Sequence, residues 1–266
     1  MDINDFYYKE GEKPLDNLVV DGGFCGIFRT IGIIGDSLSS GEFESKTEGI
    51  TGYHDFYDYS WGQYIARTAG CKVFNFSKGG MTAEAFCKTF CNECGVYKYE
   101  NLCQAYIIAL GVNDLNGQLE IGDAKTAREN LRPAEEPTIL NYYAAIIKSI
   151  KRKQPDAKIF LMTIPRNDQK EGEAVERRDL YCEELRKFAD LFENTYIIDL
   201  HKYAPVYDEK FRDTFFLGHM TATGYMFTAK MVMSYIDYYI RRYPSDFSQV
   251  GFIGTPYKYV IEQVKE

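Results

Sequence analysis

Gly35-Asp36-Ser37-Leu38-Ser39 places a hydroxyl directly after the apolar run 30–34. A Ser at the carboxyl end of a strand, with a Gly before it to permit a tight turn, faces the free N–H groups of any helix that starts beyond it. That setting suits a nucleophile whose attack creates an oxyanion. The same residues also serve as ordinary turn and N-cap residues. A second apolar run ends Asn75-Phe76-Ser77-Lys78-Gly79-Gly80. The Gly pair lets backbone approach a substrate closely, so the Gly80 N–H is a candidate oxyanion donor; a plain strand-to-helix turn needs the same glycines. A third run ends Gly111-Val112-Asn113-Asp114. The Asn113 carboxamide there either aims an NH2 at developing negative charge or starts an Asx-turn. Near the chain's end stands Gly218-His219-Met220-Thr221. Of the three His, His219 alone lies in a loop that opens on a helix at this edge. His54, in Tyr53-His54-Asp55-Phe56-Tyr57, and His201 read as surface or pocket-wall residues.

These segments need a scaffold. The runs 30–34, 72–76, 105–110, 158–162 and 195–200 are short, almost continuously apolar and rich in Ile and Val, as buried parallel strands are. Longer periodic segments lie between them. Helices are predicted at 61–69, 138–154, 173–192 and 222–242, the last closed by Pro244. On the second, Leu140, Tyr143, Ile146, Ile147 and Ile150 share a face. On the last, Phe227, Met231, Val232, Tyr235, Ile236 and Tyr239 do so. This alternation predicts an α/β fold with a five-stranded parallel sheet. One domain over 1–266 is expected, its core at about 30–242 and both ends packed on as additions. Val19-Val20-Asp21-Gly22-Gly23-Phe24 reads as a turn between short strands. Long loops at 38–60, 111–137, 163–172 and 201–221 all follow strand carboxyl ends, where open sheets bind ligands.

The blocks Gly-Asp-Ser-Leu-Ser at 35–39, Asn75 with Gly80, Gly111-x-Asn113-Asp114, and His219 followed by Gly224-Tyr225 resemble the SGNH (GDSL-type) hydrolase family in order and context. The resemblance spans residues 30 to 240. It implies a flavodoxin-like three-layer α/β/α sandwich, in agreement with the strand reading. It also implies Ser37 as nucleophile and His219 as its base. The oxyanion hole would be the Ser37 and Gly80 N–H groups and the Asn113 side chain. The family usually has an Asp three residues before the His; here that position is Phe216. Asp213, six before, is the candidate acid if the loop bulges; the alternative is a backbone carbonyl near Phe216 or Leu217 orienting the imidazole. The aromatic loop 42–60 has no counterpart in the family pattern.

The implied activity is hydrolysis of short-chain or acetyl esters through an acyl-enzyme, with no metal or organic cofactor. Acetylated sugars are candidate substrates, because Tyr53, Phe56, Tyr57, Tyr59 and Trp61 offer rings to stack on them; Tyr53, His54 and Trp61 are the expected pocket residues. Lysophospholipase or thioesterase activity is the alternative within the family. A non-catalytic carbohydrate-binding relative is the alternative outside it, opposed by the intact Ser37, Gly80, Asn113 and His219. A flavodoxin-like nucleotide site would need a Gly-rich phosphate loop after the first strand, and none is present.

The net charge of −8 argues against nucleic-acid or anionic-membrane partners. The longest basic run, Lys151-Arg152-Lys153, closes a predicted helix and complements its dipole. No apolar run reaches the roughly 18 residues of a membrane span. Seven Cys without an export signal predict reduced thiols and a cytoplasmic location. Cys87-x3-Cys91-x2-Cys94 with Cys103 nearby raises a zinc site, but the spacing is loose and no His is near, so no metal is expected.

Overall fold

The computed structural model describes residues 3–130, 132–169 and 171–260. Its strands are β1 (Thr30–Gly35), β2 (Glu42–Thr47), β3 (Ile50–Asp55), β4 (Lys72–Ser77), β5 (Ala105–Ala109), β6 (Lys158–Met162), β7 (Thr195–Ile198), β8 (Phe216–Leu217) and β9 (His219–Met220). Five form one parallel sheet in the order β4-β1-β5-β6-β7. Taken as the first to fifth sheet strands in chain order, that is 2-1-3-4-5, the flavodoxin-like order. Each of the five predicted runs became one of these strands.

Successive strand side chains point to opposite faces, and this divides the core in two. Ile31, Ile33, Ile107 and Phe160 pack against helices Trp61–Ala69 and Ala222–Arg242. Ile34, Tyr106, Ile108 and Leu161 pack on the other side, against helices Ile139–Lys153 and Glu173–Ala189. Both faces of the sheet are covered, which is why its strands read as unbroken apolar runs. On the Ile139–Lys153 helix every residue of the predicted apolar face is buried. The Thr138 hydroxyl caps its start by accepting from the Asn141 N–H at 3.1 Å.

Several expectations are corrected; the expected loops 111–137 and 201–221 hold helices Val112–Asn116, Ala124–Glu129 and Glu209–Phe215. Residues 19–24 are not strands around a turn: Gly23–Ile27 is a 3-10 helix. This N-terminal segment docks on the last helix, where the Val19 and Phe24 N–H groups donate to Ser234 Oγ and Asp237 Oδ1. The 38–60 stretch is not a plain loop. It holds the helical turn Ser37–Ser40 and the antiparallel hairpin β2–β3, whose register pairs Glu42 with Asp55 and Glu44 with Tyr53. Residues 261–266, the end of the C-terminal addition, lie outside the described residues.

Cys87, Cys91 and Cys94 lie on consecutive helical turns that include a π turn at Phe86–Phe90. Their Sγ atoms face the carbonyls of Tyr142, Cys87 and Cys91 rather than one another. Burial pushes the Cys87 thiol up to about 12. All seven Cys are unpaired, and the described residues hold no metal-competent group of three or more His, Cys, Asp or Glu. No described helix is long and apolar enough to cross a membrane.

Candidate active site

The carboxyl ends of β1, β4 and β5 are neighbours in the sheet, so the turns that follow them converge. After β1 the chain must turn sharply. A Cβ at Gly35 would run into Ser39, so position 35 takes no side chain. Asp36 then caps the helical turn by accepting from the Leu38 N–H at 3.1 Å. Its carboxylate is buried, and lost hydration, with Asp114 and Glu42 nearby, raises it to about 7. Ser37 opens that turn and is half-exposed. Its Oγ has no hydrogen-bond partner among the described residues. Its carbonyl accepts from Ser40 Oγ, which also bonds Asp55 Oδ1 on β3 and so ties the Ser37 turn to the hairpin.

After β4, Gly80 adopts φ +71°, the left-handed region a side chain would disfavour. Its N–H has no partner among the described residues. After β5, Asn113 Nδ2 donates to the Met81 carbonyl at 3.1 Å. That bond holds the carboxamide against the Gly80 turn and leaves its second N–H free. Asp114 completes the brace: buried, it accepts from the Ala83 N–H at 2.9 Å. Burial raises its carboxyl to about 6.

His219 sits on the two-residue hairpin β8–β9, bent at Gly218 with φ +72°. Thr221 caps the following helix, and its N–H donates to the Phe215 carbonyl at 2.8 Å, which fixes the turn. Ser37, Gly80, Asn113 and His219 line one open cavity of about 470 Å³. The same cavity is walled by Glu42, Tyr53, Asp55 and Lys78.

The imidazole has neighbours that sequence reading did not supply. Glu42 Oε1 lies 3.0 Å from Nε2, and Glu44 Oε2 lies 3.7 Å from Nδ1. The Tyr53 ring meets it edge-on, centroids 5.5 Å apart. Burial raises the Glu42 carboxyl and the adjacent imidazole opposes that shift. Asp213, the candidate acid, is exposed on helix Glu209–Phe215 and makes no ion pair with His219. The loop does not bulge as that role requires: helix Glu209–Phe215 runs straight into β8, and Phe216 packs among Tyr207 and Phe211.

Of the three expected pocket residues, only Tyr53 lines the cavity. Trp61 is 1% exposed and belongs to the core under β1. His54 points to the opposite face of the hairpin from Tyr53 and bonds Ser45 Oγ at 2.8 Å. Phe56 and Tyr59 pack on Phe43 on that opposite side. His201 pairs with Asp179 at 2.9 Å and lies against Arg186, outside the cavity. A sequence signal for Glu42 and Glu44 did exist. Alternation through Glu42-Phe43-Glu44, with the turn signal Glu48-Gly49 beyond, is that of a hairpin with one acidic face.

Residues 33–227 match the GDSL-like Lipase/Acylhydrolase family. No curated protein matches the chain. Among solved structures, a family two carbohydrate esterase from Clostridium thermocellum in complex with cellohexaose is similar at TM-score 0.57 and 16% identity, over 82% of this chain and 65% of that one. A carbohydrate esterase family 2 enzyme plus carbohydrate binding domain from Corynascus thermopiles (Myceliophthora fergusii) gives TM-score 0.54 at 15% identity, over 84% and 67%. A possible lipase from Chitinophaga pinensis gives 0.53 at 15% identity, over 84% and 98%. At these identities the likeness is one of fold.

Proposed function

This chain belongs to the GDSL-like lipase/acylhydrolase family, and we propose that it hydrolyses short-chain or acetyl esters, those of carbohydrates among them, through a Ser37 acyl-enzyme. The observation that carries this reading is the meeting of Ser37, Gly80, Asn113 and His219, far apart in sequence, around one open cavity. Ser37 Oγ attacks the ester carbonyl as His219 accepts its proton. The carbonyl oxygen, now negative, takes the Ser37 N–H, the unpaired Gly80 N–H and the free Asn113 N–H. His219 returns the proton to the departing alcohol. Water then repeats the sequence on the acyl-enzyme.

The cavity wall supports a small polar substrate over a lipid. Apart from Tyr53 the lining is glycine or polar: Glu42, Asp55, Lys78 and Asn113 can hydrogen-bond hydroxyls but would have to be desolvated by an alkyl chain. Tyr53, 58% exposed beside His219, offers a ring to a sugar face. Two of the structures sharing the fold are carbohydrate esterases; the polar cavity is what brings that substrate class to this chain.

The test is a series of p-nitrophenyl esters of rising chain length together with acetylated sugars. Activity should be highest on acetyl esters, fall as the chain lengthens, and vanish in folded Ser37→Ala. Near-normal turnover by that variant removes Ser37 as nucleophile. A preference for long chains would favour the lipase alternative.

A further inference from the structure

We propose that Glu44, carried on the β2–β3 hairpin, is the positioning residue that orients the His219 imidazole through Nδ1. The inference rests on the serine-esterase reading above and supplies the acid that position 216 lacks.

A catalytic imidazole needs Nδ1–H held so that Nε2 is the free base facing the nucleophile. In this chain Nδ1 of His219 is buried and has no hydrogen-bond partner. Among the described residues the one carboxylate within ion-pair range of it is Glu44, Oε2 lying 3.7 Å away. That is about half an ångström beyond hydrogen-bond reach, a gap a small side-chain rotation closes. The seat for this carboxylate is built into the backbone. Gly218 precedes His219 at φ +72°, and a Cβ there would overlap Glu44 Oε2 and Cδ. So the residue next to the base is kept bare where the Glu44 carboxylate lies.

Glu42 does not fit the same role. It faces Nε2, the nitrogen that must accept from Ser37, and its other oxygen lies over Gly79, beside the oxyanion donors. Glu42 must withdraw for Ser37 Oγ to reach Nε2, whereas Glu44 acts from the far side of the ring. Strand alternation puts both on the acidic face of β2, and the Glu42 carbonyl, accepting from the buried Tyr225 hydroxyl at 2.6 Å, anchors that strand. The titratable and charged groups around the imidazole are therefore Glu42 and Glu44 from β2, Tyr53 and Asp55 from β3, and Lys78 after β4.

Glu44→Ala should lower kcat on p-nitrophenyl acetate by at least about 10²-fold, with KM within about threefold, since the loss is felt at the base rather than in binding. Removing a negative charge beside the imidazole disfavours imidazolium. The acid limb of the kcat/KM profile should therefore move to lower pH. Glu44→Gln, the conservative variant, keeps size and an acceptor oxygen. It should retain more activity than Glu44→Ala while showing the same limb shift, and it serves if the Ala variant does not fold. A kcat within threefold of wild type with an unmoved acid limb in Glu44→Gln overturns the proposal. So does finding that both effects belong to Glu42→Gln and not to Glu44→Gln. Ser37→Ala separates the two levels: if it is dead while Glu44→Gln behaves as wild type, the esterase reading stands and the Glu44 assignment alone falls.

Discussion

In the proposed mechanism, replacing Asn113 by Ala removes one neutral donor from the place where an ester oxygen becomes negative. The structure says how much of that donor is committed elsewhere. One Nδ2 hydrogen is spent on the Met81 carbonyl at 3.1 Å, and only the second can reach a substrate. The bond to Met81 contributes about 1 kcal/mol to stability, as a part-buried neutral hydrogen bond does. The fold should survive, because Asp114 still braces the same turn through the Ala83 N–H. Under that proposal the second hydrogen acts in the transition state, where the carbonyl oxygen is charged. Loss of such a donor costs roughly 3–4 kcal/mol, or 10²–10³ in kcat. Since the ground-state carbonyl is a weak acceptor, KM should change far less. The assay is steady-state hydrolysis of p-nitrophenyl acetate, with a thermal melt to confirm folding. A rise in KM at unchanged kcat would refute the reasoning, for it would make Asn113 a ground-state binding group.

Asp36→Asn should stabilise the protein at pH 8 and not at pH 4. The buried Asp36 carboxyl titrates at about 7 instead of near 4, so the folded state binds its proton more tightly than the unfolded state. Stability from this group is complete below the unfolded value and drains away as pH rises through about 7. Asn keeps the cap to Leu38 without that cost, and the gain should approach an upper bound of roughly 4 kcal/mol, read as the difference in melting between the two pH values; a gain equal at both would refute it. Asp213→Asn should keep activity within about tenfold of wild type while His219→Ala is inactive, because Asp213 is exposed and unpaired with the imidazole; loss to a common floor would restore Asp213 as the acid. Thiol titration of the unfolded, unreduced protein should approach seven, and stoichiometric zinc in the purified protein would overturn the picture of separate, carbonyl-facing thiols.

Local patterning made much of this molecule legible. The five apolar runs became the five sheet strands, and the helices at Trp61–Ala69 and Ala222–Arg242 began and ended at the predicted residues. Thr221 and Pro244 mark the ends of the latter by capping chemistry, which is local. Ser37, Gly80 and Asn113 could be picked out because each stands at the end of a strand, and parallel strands deliver their ends to one edge. The imidazole's partners were not legible in the same way. The usual acid sits three residues from the His, which in this sequence points only to 213–217, whereas Glu42 and Glu44 are separated from His219 by most of the chain. Their pairing depends on the hairpin folding back over the Gly79 and Gly218 turns, a packing that no local pattern encodes. Aromatic composition likewise suggested one sugar-stacking wall from Tyr53 to Trp61. The two-residue alternation of β3 and the burial of the helix starting at Trp61 split those rings between the cavity, the back of the hairpin and the core. Residue type and spacing name the groups able to do chemistry; which of them meet is settled by strand register and by the contacts that close the chain upon itself.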